Sequence, residues 1–96
     1  MTSAPHALAH EPKDNVAVVV VEDLKAGARM NGVITSDNSD FTLVALDDIP
    51  IGHKVALTDL AEGDTAIKYG QDIGKIVAPV KKGGHVHVQN LKTKRW

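Results

Sequence analysis

One short turn pattern occurs four times in this 96-residue chain, and it limits the possible folds more than any other feature. An aliphatic residue, two further residues and a glycine recur in the segments Glu22–Met30, Asp47–Val55, Thr58–Ala66 and Ala78–Val86. The aliphatic residue anchors the end of a segment in the core, and the glycine permits a positive φ that a Cβ would penalise. Because the glycines are unevenly spaced, a regular solenoid is excluded. The pattern predicts one turn used four times in a small clip-like or barrel-like domain.

The segments between these turns are typical of short β-strands. The run from Val16 to Val21 holds five valines and one alanine, which predicts a strand buried on both faces. The turn-forming cluster at 35–40 separates two apolar segments and indicates a hairpin. No segment keeps a helical period beyond about two turns. We therefore predict a loose N-terminal tail over residues 1–9 and a single all-β domain over residues 10–96.

Composition and charge exclude several classes of protein. The net charge is −1, and no basic patch is interleaved with aromatic residues, so nucleic acid is not an expected partner. The longest apolar run is far shorter than the ~20 residues of a membrane span, and the absence of cysteine suits a reducing compartment. We expect a cytoplasmic protein that forms at least a dimer. The first 48 residues carry a charge of −5 and the last 48 a charge of +4, which fits an acidic substrate or partner, or simply an uneven surface.

Several residues beside the turns are not required by the turns. His53 and Lys54 directly follow the second turn glycine, and they form either a solvent-facing turn or a cation pair for a carboxylate, with a histidine that moves protons near neutral pH. His85 and His87 are two positions apart, so they share one face of a strand. Such a pair can share a metal, bind an anion or line a polar surface. The next position on that face is Gln89, a poor metal ligand.

Four motifs in order resemble one enzyme family. They are His10 with Asp14–Ala17 (H-x-x-x-D-N-V-A), then DIPIGHKVAL, IKYGQDIG and GGHVHVQN. Together they resemble the small SAF-type domain of the altronate/galactarate dehydratase family, which includes the small subunit of sulfolactate sulfo-lyase. The resemblance runs from about His10 to Asn90. It departs from the family at Gln89, where a third histidine is frequent.

The resemblance implies a β-clip fold and a lyase activity. It implies β-elimination from a 2-hydroxy acid, with water leaving in the dehydratases and sulfite in the sulfo-lyase. A large partner subunit would carry the rest of the active site and a divalent metal, iron or manganese, and no cofactor is required by this chain alone. The alternatives are a non-catalytic ligand-binding or assembly module of SAF type and an autonomous metal enzyme built on His85 and His87.

The resemblance also implies which residues serve the site, on an acidic small-molecule substrate. The implied catalytic pair is His53 and Lys54, with the base supplied either by His53 or by the large subunit. The implied substrate-binding residues are Asp14, Asn15, His85, His87 and Asn90. No metal ligand is assigned.

Overall fold

The computed structural model describes residues 5–68 and 70–92, which form nine short β-strands and no helix. The strands are β1 (Ala7–Ala9), β2 (Val16–Val19), β3 (Arg29–Ile34), β4 (Ser39–Val44), β5 (Lys54–Ala56), β6 (Thr65–Lys68), β7 (Gln71–Ile76), β8 (His85–Val86) and β9 (Leu91–Lys92). The all-β prediction is therefore confirmed. None of the described segments forms an apolar helix with the length of a membrane span.

The strands make two sheets. The larger sheet has the order β4-β3-β1-β2-β5-β8, and the smaller one has the order β6-β7-β9. Neighbouring strands are antiparallel except for β1 and β3, which are parallel. The predicted hairpin at the turn-forming cluster is the β3–β4 pair. The larger sheet brings β5 and β8 together although they lie about thirty residues apart in the chain.

The N-terminal segment differs from the expected loose tail. Ala7–Ala9 form β1 in the interior of the larger sheet, where Ala7 pairs with Val19 on one side and Gly32 on the other. Both Ala7 and Ala9 are buried. Small side chains suit a strand that is enclosed between two neighbours. Residues 1–4 lie outside the described residues.

Two clusters of buried side chains meet at β2 and β5. Ala17 and Val19 belong to the first cluster, whereas Val16 belongs to the second. All three residues are fully buried. They belong to different clusters because successive residues of a strand point to opposite faces of the sheet. The predicted strand buried on both faces thus extends over Val16–Val19 and connects the two halves of the domain.

The four repeated glycines all have left-handed backbone conformations. The φ angles are 88° at Gly27, 87° at Gly52, 94° at Gly63 and 89° at Gly83. In each turn the residue after glycine donates its N–H to the carbonyl three positions earlier, in the pairs Ala28–Lys25, His53–Pro50, Asp64–Ala61 and Gly84–Lys81. A positive φ at the third residue of such a turn is the type II geometry, which favours glycine.

The turns associate in two pairs. Leu24 of the first turn forms an antiparallel bridge with Ile49 of the second, and Leu60 of the third with Val80 of the fourth. Aspartates before the aliphatic residues connect the paired turns, because Asp48 accepts a hydrogen bond from the Ala26 N–H across the first pair. Asp59 accepts one from the Lys82 N–H across the second pair. The repeat therefore builds two similar turn pairs on either side of the β2–β5 centre.

Candidate functional site

Three histidine rings lie together where the second and fourth turns lead into β5 and β8. His53 directly precedes β5 and His85 begins β8, and the pairing of Val55 with His85 fixes the two strands in register. Nδ1 of His53 lies 2.7 Å from Nε2 of His85. The His87 ring stacks on the His53 ring, with centroids 3.6 Å apart and an interplanar angle of 14°.

The backbone around these rings is held by side chains from both neighbouring segments. Asp47, which precedes the second turn, accepts a hydrogen bond of 2.9 Å from the His85 N–H. Asn90 accepts a hydrogen bond from the His87 N–H and donates one to the His85 carbonyl, at 3.0 and 2.8 Å. Asn90 is buried. The Asn90 side chain thus fixes the loop that carries His85 and His87. The substrate-binding role that the resemblance implies for Asn90 stays a prediction.

Gln89 lies beside the histidine pair. Its amide nitrogen lies 3.1 Å from Nδ1 of His85. With this amide as donor, His85 carries its proton on Nε2 and donates it to Nδ1 of His53. His53 then carries its own proton on Nε2. The position that departs from the family motif therefore contacts one of the histidines directly.

Burial and neighbouring positive charge favour the neutral forms of three groups in this cluster. Partial burial lowers the pKa of His85, and His53 and His87 lower it further, while the Asp47 carboxylate acts in the opposite direction. Burial, His53 and Lys54 lower the pKa of His87. The pKa of Lys54 is also lowered, first by burial and then by the charge of Lys68.

A cavity of about 370 Å³ adjoins the cluster. Polar side chains on it come from Lys54, Lys68 and His87, and Ile73, Val88 and Leu91 complete its lining. The lining residues that the structure describes include no carboxylate. This part of the site can therefore hold an anion beside a histidine that is able to exchange protons.

Asp14 and Asn15 lie elsewhere. They line a second cavity of about 390 Å³, and their polar atoms bond the backbone of the smaller sheet and its turn. Asp14 accepts from the Gly70 N–H at 2.8 Å. Asn15 accepts from the Ile67 N–H at 2.7 Å and donates to the Thr65 carbonyl at 2.8 Å. The structure thus groups five of the seven sequence-predicted residues and separates these two, whose substrate-binding role stays a prediction.

No set of three or more His, Asp or Glu side chains within residues 5–68 and 70–92 has an arrangement suited to a metal ion. In the histidine cluster one ring nitrogen of His53 and one of His85 are used by their mutual hydrogen bond. The donor set of the described residues therefore does not fit iron or manganese, and the metal in a large subunit that the resemblance implies stays a prediction.

Two residues at the site were not assigned a role from the sequence. Lys68 ends β6 and lines the cavity. Lys68 belongs to the IKYGQDIG motif, but its distance along the sequence from the histidines gives no indication that it lies beside them. Asp47 precedes the second turn, and its bond to the His85 backbone depends on a contact 38 residues away.

Comparisons with known proteins agree with the motif resemblance. The family model for the altronate/galactarate dehydratase SAF domain matches residues 5–94. The chain is 48% identical over 87 residues to the (2R)-sulfolactate sulfo-lyase subunit alpha of Chromohalobacter salexigens. The aligned region covers 91% of this chain and 93% of that protein. It is 67% identical over 64 residues to the subunit of the same name from Paracoccus pantotrophus, covering 67% of this chain and 96% of that protein. With the altronate dehydratase of Escherichia coli the identity is 44% over 80 residues, 83% of this chain but 15% of that protein.

Proposed function

The chain belongs to the altronate/galactarate dehydratase SAF domain family, and we propose that it is the small subunit of a lyase that eliminates sulfite from (2R)-sulfolactate. The two sulfo-lyase alpha subunits support this choice, because the chain spans 93% and 96% of their lengths. It spans 15% of the altronate dehydratase. The grouping of His53 and Lys54 with His85 and His87 beside one cavity is the structural observation that carries the proposal.

The proposed reaction is a β-elimination. A base removes the proton from C2 of the hydroxy acid, a double bond forms between C2 and C3, and the C3–S bond breaks as sulfite leaves with its electron pair. The enol that remains gains a proton at C3 and loses the proton of its hydroxyl group, which gives a 2-oxo acid. Charge develops on the carboxylate during proton removal, so a fixed cation beside the carboxylate lowers the barrier.

The residues of this chain have distinct roles in the proposal. Lys54 binds the carboxylate, since its half-buried ammonium group lines the cavity. His53 donates a proton from Nε2, because its Nδ1 accepts the hydrogen bond from His85, and the base that removes the C2 proton is then supplied by the large subunit. His87 stacks on His53 and holds that ring in place.

The proposal includes a separate large subunit. The word "subunit" in the names of the two alpha relatives supports a partner chain, and the small fraction of altronate dehydratase that matches leaves most of that protein to another domain. We assign the iron or manganese ion to that partner, where it would supply further stabilisation of the developing charge. The remaining walls of the substrate site would come from the same partner.

Reconstitution with the large subunit tests the proposal. The chain is co-expressed with the large subunit of a sulfolactate sulfo-lyase, and sulfite release from (2R)-sulfolactate is measured in the presence of iron or manganese. The His53→Ala plus Lys54→Ala double variant is expected to lose activity by at least about 100-fold, and His10→Gln, on an exposed histidine, to retain it. Unchanged activity in the double variant would remove the catalytic assignment. Tight binding of sugar acids by the chain without a partner would favour the alternative, a ligand-binding module.

A further inference from the structure

Aspartates connect the repeated turns in two different ways. Asp48 and Asp59 each accept a backbone hydrogen bond from the other turn of their own pair. Asp47 instead accepts a hydrogen bond of 2.9 Å from the His85 N–H, and this bond joins the second turn to the fourth. Those two turns belong to different pairs. The Asp47 side chain is therefore a connection between the two turn pairs.

A second bond holds the segment that carries Asp47 against the fourth turn. The Leu46 N–H donates to the Gly83 carbonyl at 2.9 Å. A Cβ at Gly84 would lie 3.6 Å from Oδ2 of Asp47, so the carboxylate rests against the backbone of this turn. Asp47 thus reaches the His85 N–H from a segment that is itself fixed on the fourth turn.

The hydrogen bond between the two imidazole rings joins the same two turns. Nδ1 of His53, after the second turn, lies 2.7 Å from Nε2 of His85, after the fourth. Such a bond depends on both distance and direction, so a small displacement of either ring weakens it. Burial lowers the pKa of His85 and the Asp47 carboxylate opposes this effect, which agrees with its place beside the ring.

We propose that Asp47 is a positioning residue of the site. By holding the His85 N–H, it keeps Nε2 of His85 in line with Nδ1 of His53, and the proton of His53 then stays on Nε2. The inference rests on the proposed function, in which His53 donates a proton from that nitrogen. Asp47 acts on the reaction through His85, so its loss affects kcat, whereas carboxylate binding by Lys54 and hence KM are kept.

Nuclear magnetic resonance of the ¹⁵N-labelled full chain tests the positioning directly. The readouts are the coupling across the hydrogen bond between Nδ1 of His53 and Nε2 of His85, and the ¹⁵N shifts of both rings. The variants are Asp47→Ala and Asp47→Asn. Asp48→Ala is the matched control, because Asp48 is the next residue, is also exposed and accepts one backbone hydrogen bond of 2.8 Å on a different turn.

Asp47→Ala is expected to lose the coupling between the rings, and its His53 shifts to indicate a mixture of the two neutral forms. Asp47→Asn is expected to keep the coupling, because its amide oxygen can accept the same N–H. Asp48→Ala is expected to keep it as well. Absence of the coupling in the wild type, its retention in Asp47→Ala, or its equal loss in Asp48→Ala would overturn the inference.

Kinetics of the complex with the large subunit connect the positioning to the reaction. Asp47→Ala is expected to lower kcat by roughly tenfold to a hundredfold and to leave KM within about twofold. Asp47→Asn is expected to restore most of kcat, and Asp48→Ala to keep the wild-type value. A raised KM at unchanged kcat in Asp47→Ala would contradict the inference. If Asp47→Ala does not fold by circular dichroism, Asp47→Leu, which has a similar size and no acceptor, replaces it under the same criteria.

The two measurements separate the inference from the proposed function. The spectra need no turnover, so they decide whether Asp47 holds the histidine pair even if the wild-type complex releases no sulfite from (2R)-sulfolactate. Lack of sulfite release overturns the proposed function alone. Sulfite release by the wild type, together with unchanged coupling and kcat in Asp47→Ala, overturns the inference alone.

Discussion

Nδ1 of His53 lies 2.7 Å from Nε2 of His85, a distance at which one proton is shared between the two rings. Two N–H groups cannot point at each other across such a bond. One ring therefore donates and the other accepts, so the proton arrangement of one ring fixes that of the other. The His87 ring stacks against the same pair, and the pKa values of His85 and His87 are both lowered, in each case first by burial.

The first prediction concerns stability at acidic pH. The pKa values of His85 and His87 are lowered in the folded chain, so the unfolded chain binds more protons between those values and the usual histidine pKa of about 6.5. The stabilisation is complete above pH 6.5 and is lost as the pH falls through the lowered values. We expect the unfolding temperature to be constant from pH 8 to 7 and to fall below about 6.5, as measured by circular dichroism.

A variant isolates the contribution of the cluster to this acid sensitivity. His85→Gln is expected to flatten the decline between about pH 6.5 and 5, because it removes one titrating ring and the proton that His53 accepts from it. His10→Gln, on an exposed histidine that contacts Thr35, is expected to keep the wild-type slope. Identical slopes for wild type and His85→Gln would contradict the prediction.

The repeated turn shows what local sequence determines. Glycine spacing alone indicated four left-handed positions, and Gly27 and Gly83 have the φ angles of such positions because the requirement is set within four residues. The association of Leu24 with Ile49 spans 25 residues and depends on strand pairing elsewhere in the chain. The sequence pattern therefore specified the turn but not its partner.

The site and β1 show the same limit. The resemblance selected His53 and His85, but their contact follows from the pairing of β5 with β8. The prediction of a loose tail over residues 1–9 misses β1, because a three-residue strand with two alanines has almost no β signal. Their burial comes from β2 and β3 on either side. The contact of His53 with His85 and the burial of β1 both depend on the pairing of strands that are distant in the sequence. A local sequence pattern does not predict such pairing.

The second prediction concerns Gln89 and the proton order of the histidine pair. In Gln89→Glu the carboxylate accepts a hydrogen bond from Nδ1 of His85, so the order reverses and the Nε2 nitrogen of His53 loses its proton. The carboxylate also raises the pKa of His85. We expect imidazole ¹⁵N chemical shifts to report the exchanged protonation of the two rings, and the acid limb of the kcat/KM profile to move to higher pH.

Two comparisons define the outcome at Gln89. Gln71→Glu adds the same charge on an exposed residue of β7 and is expected to leave the His85 shifts unchanged. Gln89→Leu removes the hydrogen bond without adding charge, so we expect a mixture of both proton arrangements. Unchanged ¹⁵N shifts in Gln89→Glu would show that Gln89 does not set the proton order.

The third prediction separates support from substrate binding at Asp14. Its carboxylate accepts backbone hydrogen bonds from His10 at 3.0 Å, Glu11 at 3.1 Å and Gly70 at 2.8 Å, and the residue is 6% exposed. Asp14→Ala leaves these N–H groups without that acceptor, so we expect the free energy of unfolding to fall by about 3 kcal/mol. Urea unfolding with an unchanged m value measures the loss.

Asp40 provides the matched control for Asp14. It is exposed on β4, and Asp40→Ala is expected to change the free energy of unfolding by less than about 0.5 kcal/mol. If Asp14→Ala keeps its stability but raises the KM of the reconstituted enzyme, the side chain binds substrate, as the family resemblance implies. A loss of stability at unchanged KM identifies it as a support of the turn at Gly70.

The fourth prediction compares two turn glycines that have the same backbone conformation. The φ angles of Gly27 and Gly83 are 88° and 89°, but a Cβ at Gly27 would meet no atom within 4 Å, whereas at Gly83 it would lie 2.1 Å from the Val44 carbonyl oxygen. Gly27→Ala should cost about 1–2 kcal/mol, the penalty for a left-handed alanine. Gly83→Ala adds a displacement of β4, so we expect a total of about 3–5 kcal/mol.

Urea unfolding of the two variants decides between two explanations of the repeat. If the costs are equal, the φ angle is the only reason for glycine in these turns. If Gly83→Ala costs more and also lowers sulfite release, the close approach of the fourth turn to Val44 is required to position His85, which begins β8 two residues later. We expect the second result, because the Leu46 N–H also donates to the Gly83 carbonyl and ties this turn to the segment that leads to Asp47.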